Sequence, residues 1–332
     1  MRAPYDDWFG PDAFDATYGY DEHALRQIGA PDEPAGFERF WRELYVRARQ
    51  VDPDPQLTPA GSAAETAAAA ALGWDLYDLT FASLGDVRLG GWVALPSDGR
   101  IEHAAVVSHG YGGRSEPDLE VVPAGTAVIF PVSRGLPTRS LMSEVPEHGA
   151  GHVLVGIESP DTYVHGGCAA DIWCAASALL ELLPQAPATL GYIGGSFGGG
   201  IGSLALPWDA RFTAAALHVP SFGNHPLRLT MPCTGSGESV RTYAAEHPEV
   251  RDVLAFFDAA TAARHIRIPT VLAPALWDPA VPPPGQFAVC NAVAGEKEVF
   301  VFSAGHAEYP DEVDEHDQFV KLIHDLFRRP VA

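Results

Sequence analysis

Ser196 lies in the run Gly191-Tyr192-Ile193-Gly194-Gly195-Ser196-Phe197-Gly198-Gly199-Gly200, a Gly-x-Ser-x-Gly pattern. A serine hydroxyl is a weak nucleophile until a base takes its proton, and that base needs a carboxylate to hold its tautomer. Two later positions offer those partners. Asp278 stands in Trp277-Asp278-Pro279-Ala280-Val281-Pro282-Pro283, and His306 in Ser303-Ala304-Gly305-His306-Ala307-Glu308. Together the three side chains have the chemistry of nucleophilic acyl transfer, with Ser196 attacking, His306 moving the proton and Asp278 orienting the imidazole. The charge that develops on the attacked carbonyl oxygen needs N–H donors. The backbone N–H after the nucleophile, that of Phe197, is one. The stretch Val106-Val107-Ser108-His109-Gly110-Tyr111-Gly112-Gly113-Arg114-Ser115 ends a strand in a glycine-rich turn, and Tyr111 is the expected second donor.

Taken singly, each position has a plainer explanation. Ser196 could sit by chance in a glycine-rich turn, Asp278 before proline could be a turn former, and His306 could be a surface-loop histidine. What distinguishes them is the elements that must carry them. Ala188 to Ile193 reads as a strand and Gly198 to Leu206 as a tightly packed helix, the context a nucleophile on a sharp turn requires. Thr270 to Leu276 and Val299 to Phe302 read as strands ending just before Asp278 and His306. The order serine, acid, histidine, each at a strand's exit, is that of the α/β-hydrolases. His109 precedes the serine and is expected to pack or hydrogen-bond within its loop. Glu308 and Asp311 are expected to be solvated.

Further strands are expected at Leu76 to Phe81, Val87 to Leu95 (with Leu84-Gly85-Asp86 as a hairpin turn), Ala104 to Val107, Ala127 to Pro131 and Ala214 to Val219. Phe37 to Tyr45 has apolar residues at helical spacing, Cys168 to Leu183 is of helix length, and Ala63 to Ala71 is a short helix or linker. An opening antiparallel pair followed by alternating strands and helices predicts an α/β fold, a mostly parallel sheet flanked by helices. The chain is read as one domain over 1–332, with an N-terminal helical extension over 1–75 and a helical, cap-like insertion over about 221–265. Helices are expected there at Ser239 to Ala245 and Val250 to Arg264. Phe222, Leu227 and Leu229 of this insertion, with Tyr111, are the expected substrate-pocket walls.

Composition removes several classes of function. With 21 basic against 43 acidic residues the net charge is −22, which repels phosphate backbones and anionic lipid, so no nucleic-acid or membrane partner is expected. The N-terminus lacks the basic-then-apolar form of a signal peptide and no apolar run reaches membrane length, so a cytoplasmic protein is expected. The cysteines Cys168, Cys174, Cys233 and Cys290 are too scattered for a disulfide framework or zinc site, and the histidines show no ligand spacing. No metal and no cofactor are expected.

With these residues assembled, the chain resembles the acetyl xylan esterase and cephalosporin C deacetylase group, carbohydrate esterase family seven. The likeness runs through Phe37-Glu38-Arg39-Phe40-Trp41, Asp78-Leu79-Thr80-Phe81, Gly91-Trp92, His109-Gly110-Tyr111-Gly112-Gly113-Arg114 and Ser133-Arg134-Gly135. It continues through Gly194 to Gly200, Phe257-Asp258-Ala259, Asp278 with Val281-Pro282-Pro283, and Gly305-His306. The resemblance implies an α/β-hydrolase that removes acetyl groups from sugars or similar small esters, with main-chain donors at Tyr111 and Phe197. It also implies a homo-oligomer, a hexamer by the family's habit. Two positions depart from the family pattern. Leu136 follows Arg134-Gly135 where glutamine is common, and Phe197 follows the nucleophile where glutamine is common. Two other readings share the fold: a peptidase of the prolyl-oligopeptidase type, and a catalytically silent binding protein. The absence of a long N-terminal propeller argues against the first, and the intact Ser196, Asp278 and His306 against the second.

Overall fold

The computed structural model describes residues 5–10 and 13–329. Its centre is a nine-stranded sheet in the order β1-β2-β3-β5-β4-β6-β7-β8-β9. The strands are β1 (Gln56–Pro59), β2 (Trp74–Ser83), β3 (Val87–Pro96), β4 (His103–Val107), β5 (Thr126–Pro131), β6 (Thr189–Gly195), β7 (Ala214–His218), β8 (Thr270–Ala273) and β9 (Lys297–Val299). The first three strands run antiparallel to one another and β3 antiparallel to β5; from β5 through β4 to β9 every pairing is parallel. The parallel strands explain their own composition. Ala, Val, Ile and Leu dominate β4, β5, β7 and β8 because helices cover both faces and leave no polar side.

The helices are α1 (Tyr5–Phe9), α2 (Glu22–Leu25), α3 (Phe37–Arg49), α4 (Ala63–Ala71), α5 (Gly149–His152), α6 (Val164–Leu182), α7 (Phe197–Ala205), α8 (His225–Arg228), α9 (Gly237–Glu246), α10 (Val250–Phe256), α11 (Ala259–Ala263), α12 (Pro283–Ala292) and α13 (Glu312–Phe327). In α3 the buried residues Phe37, Trp41, Leu44 and Ala48 recur at three- and four-residue steps, the stripe a docked helix needs. The Trp41 indole N–H donates to the Phe256 carbonyl at 2.9 Å, so this stripe tethers α3 to the segment between β7 and β8. Among the described residues no helix is long and apolar enough to cross a membrane.

Several expectations need correction. The extension over 1–75 is not wholly helical, because Gln56–Pro59 forms an edge strand on β2. The helix expected from Val250 to Arg264 is broken at Phe257-Asp258. Asp258 turns its carboxylate onto the N–H groups of Ala260 and Thr261, capping α11 instead of continuing α10. The strands before Asp278 and His306 are shorter than expected, ending at Ala273 and Val299, with a single bridge between Ala275 and Phe302 beyond them. Of the cysteines, Cys168, Cys174 and Cys290 are buried free thiols and Cys233 is only part-buried.

Candidate active site

Ser196 sits between the end of β6 and the start of α7 with φ 53° and ψ −115°. That backbone is strained for a side chain with a Cβ, costing on the order of 1–3 kcal/mol, and persists only where its surroundings hold it. The two flanking glycines make the turn possible. A Cβ on Gly194 would lie 2.6 Å from the Gly198 carbonyl oxygen, and one on Gly198 would lie 2.9 Å from that of His109. The Ser196 N–H donates to the His218 carbonyl at 2.9 Å, and the Ser196 carbonyl accepts from Gly200 and Ser221.

His306 stands beyond β9 with its Nε2 2.8 Å from the Ser196 hydroxyl and its Nδ1 2.7 Å from Asp278 Oδ2. With the proton on Nδ1, the imidazole donates to Asp278 and accepts from Ser196. Burial opposes a charged imidazolium there, but the hydrogen bond and charge of Asp278 outweigh it, and the His306 pKa is raised. The loop is held from below by α13, where the Glu315 carboxylate accepts from the Ser303 N–H at 2.9 Å and the Tyr309 hydroxyl at 2.7 Å. Glu308 and Asp311 are exposed.

Asp278 is fully buried and every one of its close contacts is a donor. Oδ1 accepts from Ala280 and Val281 N–H groups at 2.9 Å each, and Oδ2 accepts from Gln286 Nε2 at 2.8 Å as well as from His306. Gln286, on α12, also donates to the Val281 carbonyl and accepts from the Ala275 N–H. Sequence reasoning missed it. Its only signal was a single amide inside the otherwise apolar stretch Pro283 to Cys290.

The loop after β4 packs directly on the serine, with Gly110 close against Ser196. His109 is a structural residue: Nδ1 donates to the Gly110 carbonyl at 2.7 Å and Nε2 accepts from Ser133 N–H at 3.0 Å. Burial pushes its pKa down to about 4, which keeps it neutral. The N–H groups of Tyr111 and Phe197 find no acceptor among the described residues, and Phe197 opens α7, where a helix leaves its first N–H groups unpaired. The Tyr111 side chain turns inward and its hydroxyl meets His165 Nε2 at 2.8 Å.

Both positions that depart from the family pattern are buried. Phe197 is fully buried with its ring 4.3 Å from Tyr111, inside an aromatic group that also includes Phe222 and His165. Leu136 is buried, and Arg134 clamps its loop by pairing with Asp171 at 2.6 Å. Aromatic packing and one buried ion pair thus steady loops that lack those amides.

In front of Ser196 and His306 lies a cavity of about 280 Å³. Of the residues expected to line it, Tyr111, Phe222 and Leu229 do, and Leu227 does not. The helical turn explains the difference. His225, Arg228 and Leu229 share one face of the α8 turn at steps of three and four, and Leu227 lies off it. Sequence reasoning also missed Arg228, Val240 and the Gly235 to Gly237 corner as lining residues.

A family model described as acetyl xylan esterase matches residues 24–325. Among solved structures, the acetyl xylan esterase from Paenibacillus sp. R4 is 22% identical with a TM-score of 0.78, covering 91% of this chain and 99% of its own. Acetyl xylan esterase 1 from Thermoanaerobacterium sp. JW/SL YS485 is 18% identical with a TM-score of 0.74, covering 93% of this chain and 99% of its own. The Pyrococcus horikoshii acylaminoacyl peptidase is 19% identical with a TM-score of 0.60, covering 78% of this chain but only 42% of its own. The fold is therefore that of the α/β-hydrolases, shared by esterases and peptidases.

Proposed function

This chain belongs to the acetyl xylan esterase family and is a carboxylic ester hydrolase, and from that premise we propose that Ser196, His306 and Asp278 carry the reaction on small acetylated sugars. The observation that carries the proposal is the unbroken hydrogen-bonded chain from Asp278 through His306 to Ser196, opening on a partly open cavity.

Ser196 Oγ attacks the acetyl carbonyl while its proton passes to His306 Nε2, and the carbonyl oxygen becomes an oxyanion facing the N–H groups of Tyr111 and Phe197. Collapse of that intermediate breaks the bond to the alcohol, which leaves with the proton from His306. Water then gives its proton to His306, attacks the acetyl-serine and releases acetate, returning the proton to Ser196. Asp278, held by four donors, keeps the imidazole in the Nδ1–H tautomer and stabilises its cation. The cavity suits a short acyl chain, and Phe222 and Leu229 form part of its apolar wall.

The substrates that fit a cytoplasmic enzyme are short acetylated oligosaccharides rather than polymer, and faster release of acetate from intact xylan would overturn that part. Assembly as a homo-oligomer, a hexamer on the family pattern, is checked by sedimentation. The central test is hydrolysis of para-nitrophenyl esters from acetate upward by wild type and Ser196→Ala. Acetate turnover that falls with chain length and disappears in the variant is expected. Equal activity in the variant removes Ser196 from the mechanism. Faster cleavage of an acylated peptide or amide than of the ester would favour a peptidase, and turnover of neither would favour a silent binding protein.

A further inference from the structure

The cavity at Ser196 has apolar walls at Tyr111, Phe222, Leu229, Val240, Ala280 and Val281, but one side carries a cation. Arg228 is 8% exposed. Its guanidinium donates to the Met231 carbonyl at 3.1 Å and to Cys233 Sγ at 2.8 Å, neither of them a carboxylate. Among the described residues no carboxylate lies within 4.0 Å of it. Of three other largely buried arginines, Arg134 and Arg211 each hold a carboxylate oxygen at 2.6 Å, from Asp171 and Asp209, whereas Arg114 is met by main-chain carbonyls and the Phe130 ring but faces no ligand cavity beside Ser196. Glu238 is near, but its carboxylate already accepts from Arg241 at 2.9 Å and from the Cys233 N–H at 3.1 Å.

A buried charge costs several kcal/mol unless something compensates it. Surface acids compensate it poorly, because their field is screened over about 8 Å at physiological salt. An anionic group of a ligand entering the cavity would compensate it directly. Gly235, Ser236 and Gly237 line the same corner, and the absence of a side chain at Gly237 makes room for the guanidinium, since a Cβ there would lie 1.5 Å from Nη2. Resting on the esterase reading above, we infer that Arg228 is a specificity-determining residue that selects acetyl esters whose alcohol portion bears a carboxylate. A neutral hydroxyl in that place leaves the charge uncompensated, whereas a carboxylate forms a charge-assisted pair with it.

The test compares para-acetoxyphenylacetate with para-acetoxyphenylacetamide. A methylene insulates the phenolic oxygen in both, so leaving-group strength is nearly matched and the charge is the main difference. Wild type is expected to favour the carboxylate in kcat/KM on the order of tenfold or more, the scale of a hydrogen bond to a charged group. Arg228→Met is expected to bring the ratio to about one, and Arg228→Lys to restore part of it. A ratio within one enzyme cancels any change in folded fraction, and a purely structural Arg228 would leave it unmoved. Should Arg228→Met not fold, Gly237→Ala, which forces the guanidinium aside, is read in its place. Both esters cleaved equally by wild type, or a preference that survives loss of the guanidinium, overturns the assignment of Arg228 alone. Cleavage of neither overturns the esterase reading, and this inference with it.

Discussion

The exits of β6, β8 and β9 and the segment between β7 and β8 both face the same cavity, but they are built on opposite principles. At the strand exits the groups proposed to react are held by short hydrogen bonds from elements that the sheet already places. Asp278 alone accepts four, and the His306 loop is fastened to α13 through Glu315. The other region is a series of short helices, α8 to α11, joined by turns, and it contributes walls and one cation instead of reacting groups. Precision of position is what the first region provides, because a misplacement of about 1 Å can cost about a hundredfold in rate. The second region supplies no group proposed to react, and selectivity is expected to reside there.

The largest effect that separates them comes from Asp278→Asn. The amide preserves the shape but no longer favours the Nδ1–H imidazole, and kcat is expected to fall on the order of 10⁴-fold. A fall of less than about tenfold in steady-state hydrolysis of para-nitrophenyl acetate would mean that the strand exits are less exacting than their geometry implies. Next comes pH. The proposed mechanism needs neutral His306, and its pKa is raised, so kcat/KM should decline on the acid side with an apparent pKa above about 6.5, tenfold per pH unit below it. The stability that this pair contributes runs the other way: it is complete below about 6.5 and is lost as pH rises through the folded pKa of His306. An acid limb centred below the free-histidine value would contradict the dominance of Asp278.

Gln286→Leu probes the same region one layer back. It removes a donor to Asp278 and leaves the Ala275 N–H buried without its acceptor. Each loss is worth about 1–3 kcal/mol. A drop of roughly ten- to a hundredfold in kcat with little change in KM is expected, and Gln286→Glu should not rescue it, because a second carboxylate would face Asp278. A change in KM alone would place Gln286 among substrate contacts instead.

Legibility in the sequence divides along the same line. That Ser196, Asp278 and His306 would meet was legible because a strand exit followed by a particular residue type is a local pattern, and the proposed chemistry demands it in a fixed order. Gln286 could not, since one amide in an apolar helix means nothing until the fold shows what it touches. Arg228 and Leu229 required knowing which way a four-residue helix faces, and Leu227, two residues from the first of that face, shows how easily apolar type misleads. The break at Asp258 had the same origin: its side chain caps α11 and also accepts from the His225 N–H at 2.6 Å, a tertiary demand that outweighs helical propensity. The edge strand β1, Gln56–Pro59, alternates no apolar residues and is defined only by its pairing with β2.

In the second region effects should be selective and smaller. Leu229→Ala enlarges the cavity, and the ratio of kcat/KM for a six-carbon ester to that for acetate is expected to rise by roughly tenfold, the lower end of what one methylene is worth in an apolar pocket. An unchanged ratio would assign the acyl chain to another wall.

The smallest expected effect tests whether the two regions are separable at all. Trp41 lies outside the cavity, yet its indole N–H is the bond that ties α3 to the Phe256 carbonyl at the end of α10. Trp41→Phe keeps a buried aromatic ring but removes that donor and part of the buried indole, at a cost of about 1–3 kcal/mol. If the helical segment is an independently supported wall, thermal unfolding should begin a few degrees lower while kcat for para-nitrophenyl acetate stays within about twofold. A large loss of kcat would instead mean that the segment's anchorage reaches Ser196. The link for such an effect is on the structure: Ser221 donates its N–H to the Ser196 carbonyl at 3.1 Å, and Phe222 accepts at its own carbonyl from Ala259 at the start of α11. Strain at Ser196 would then be maintained partly from the variable region, and selectivity could not be altered there without cost to the nucleophile.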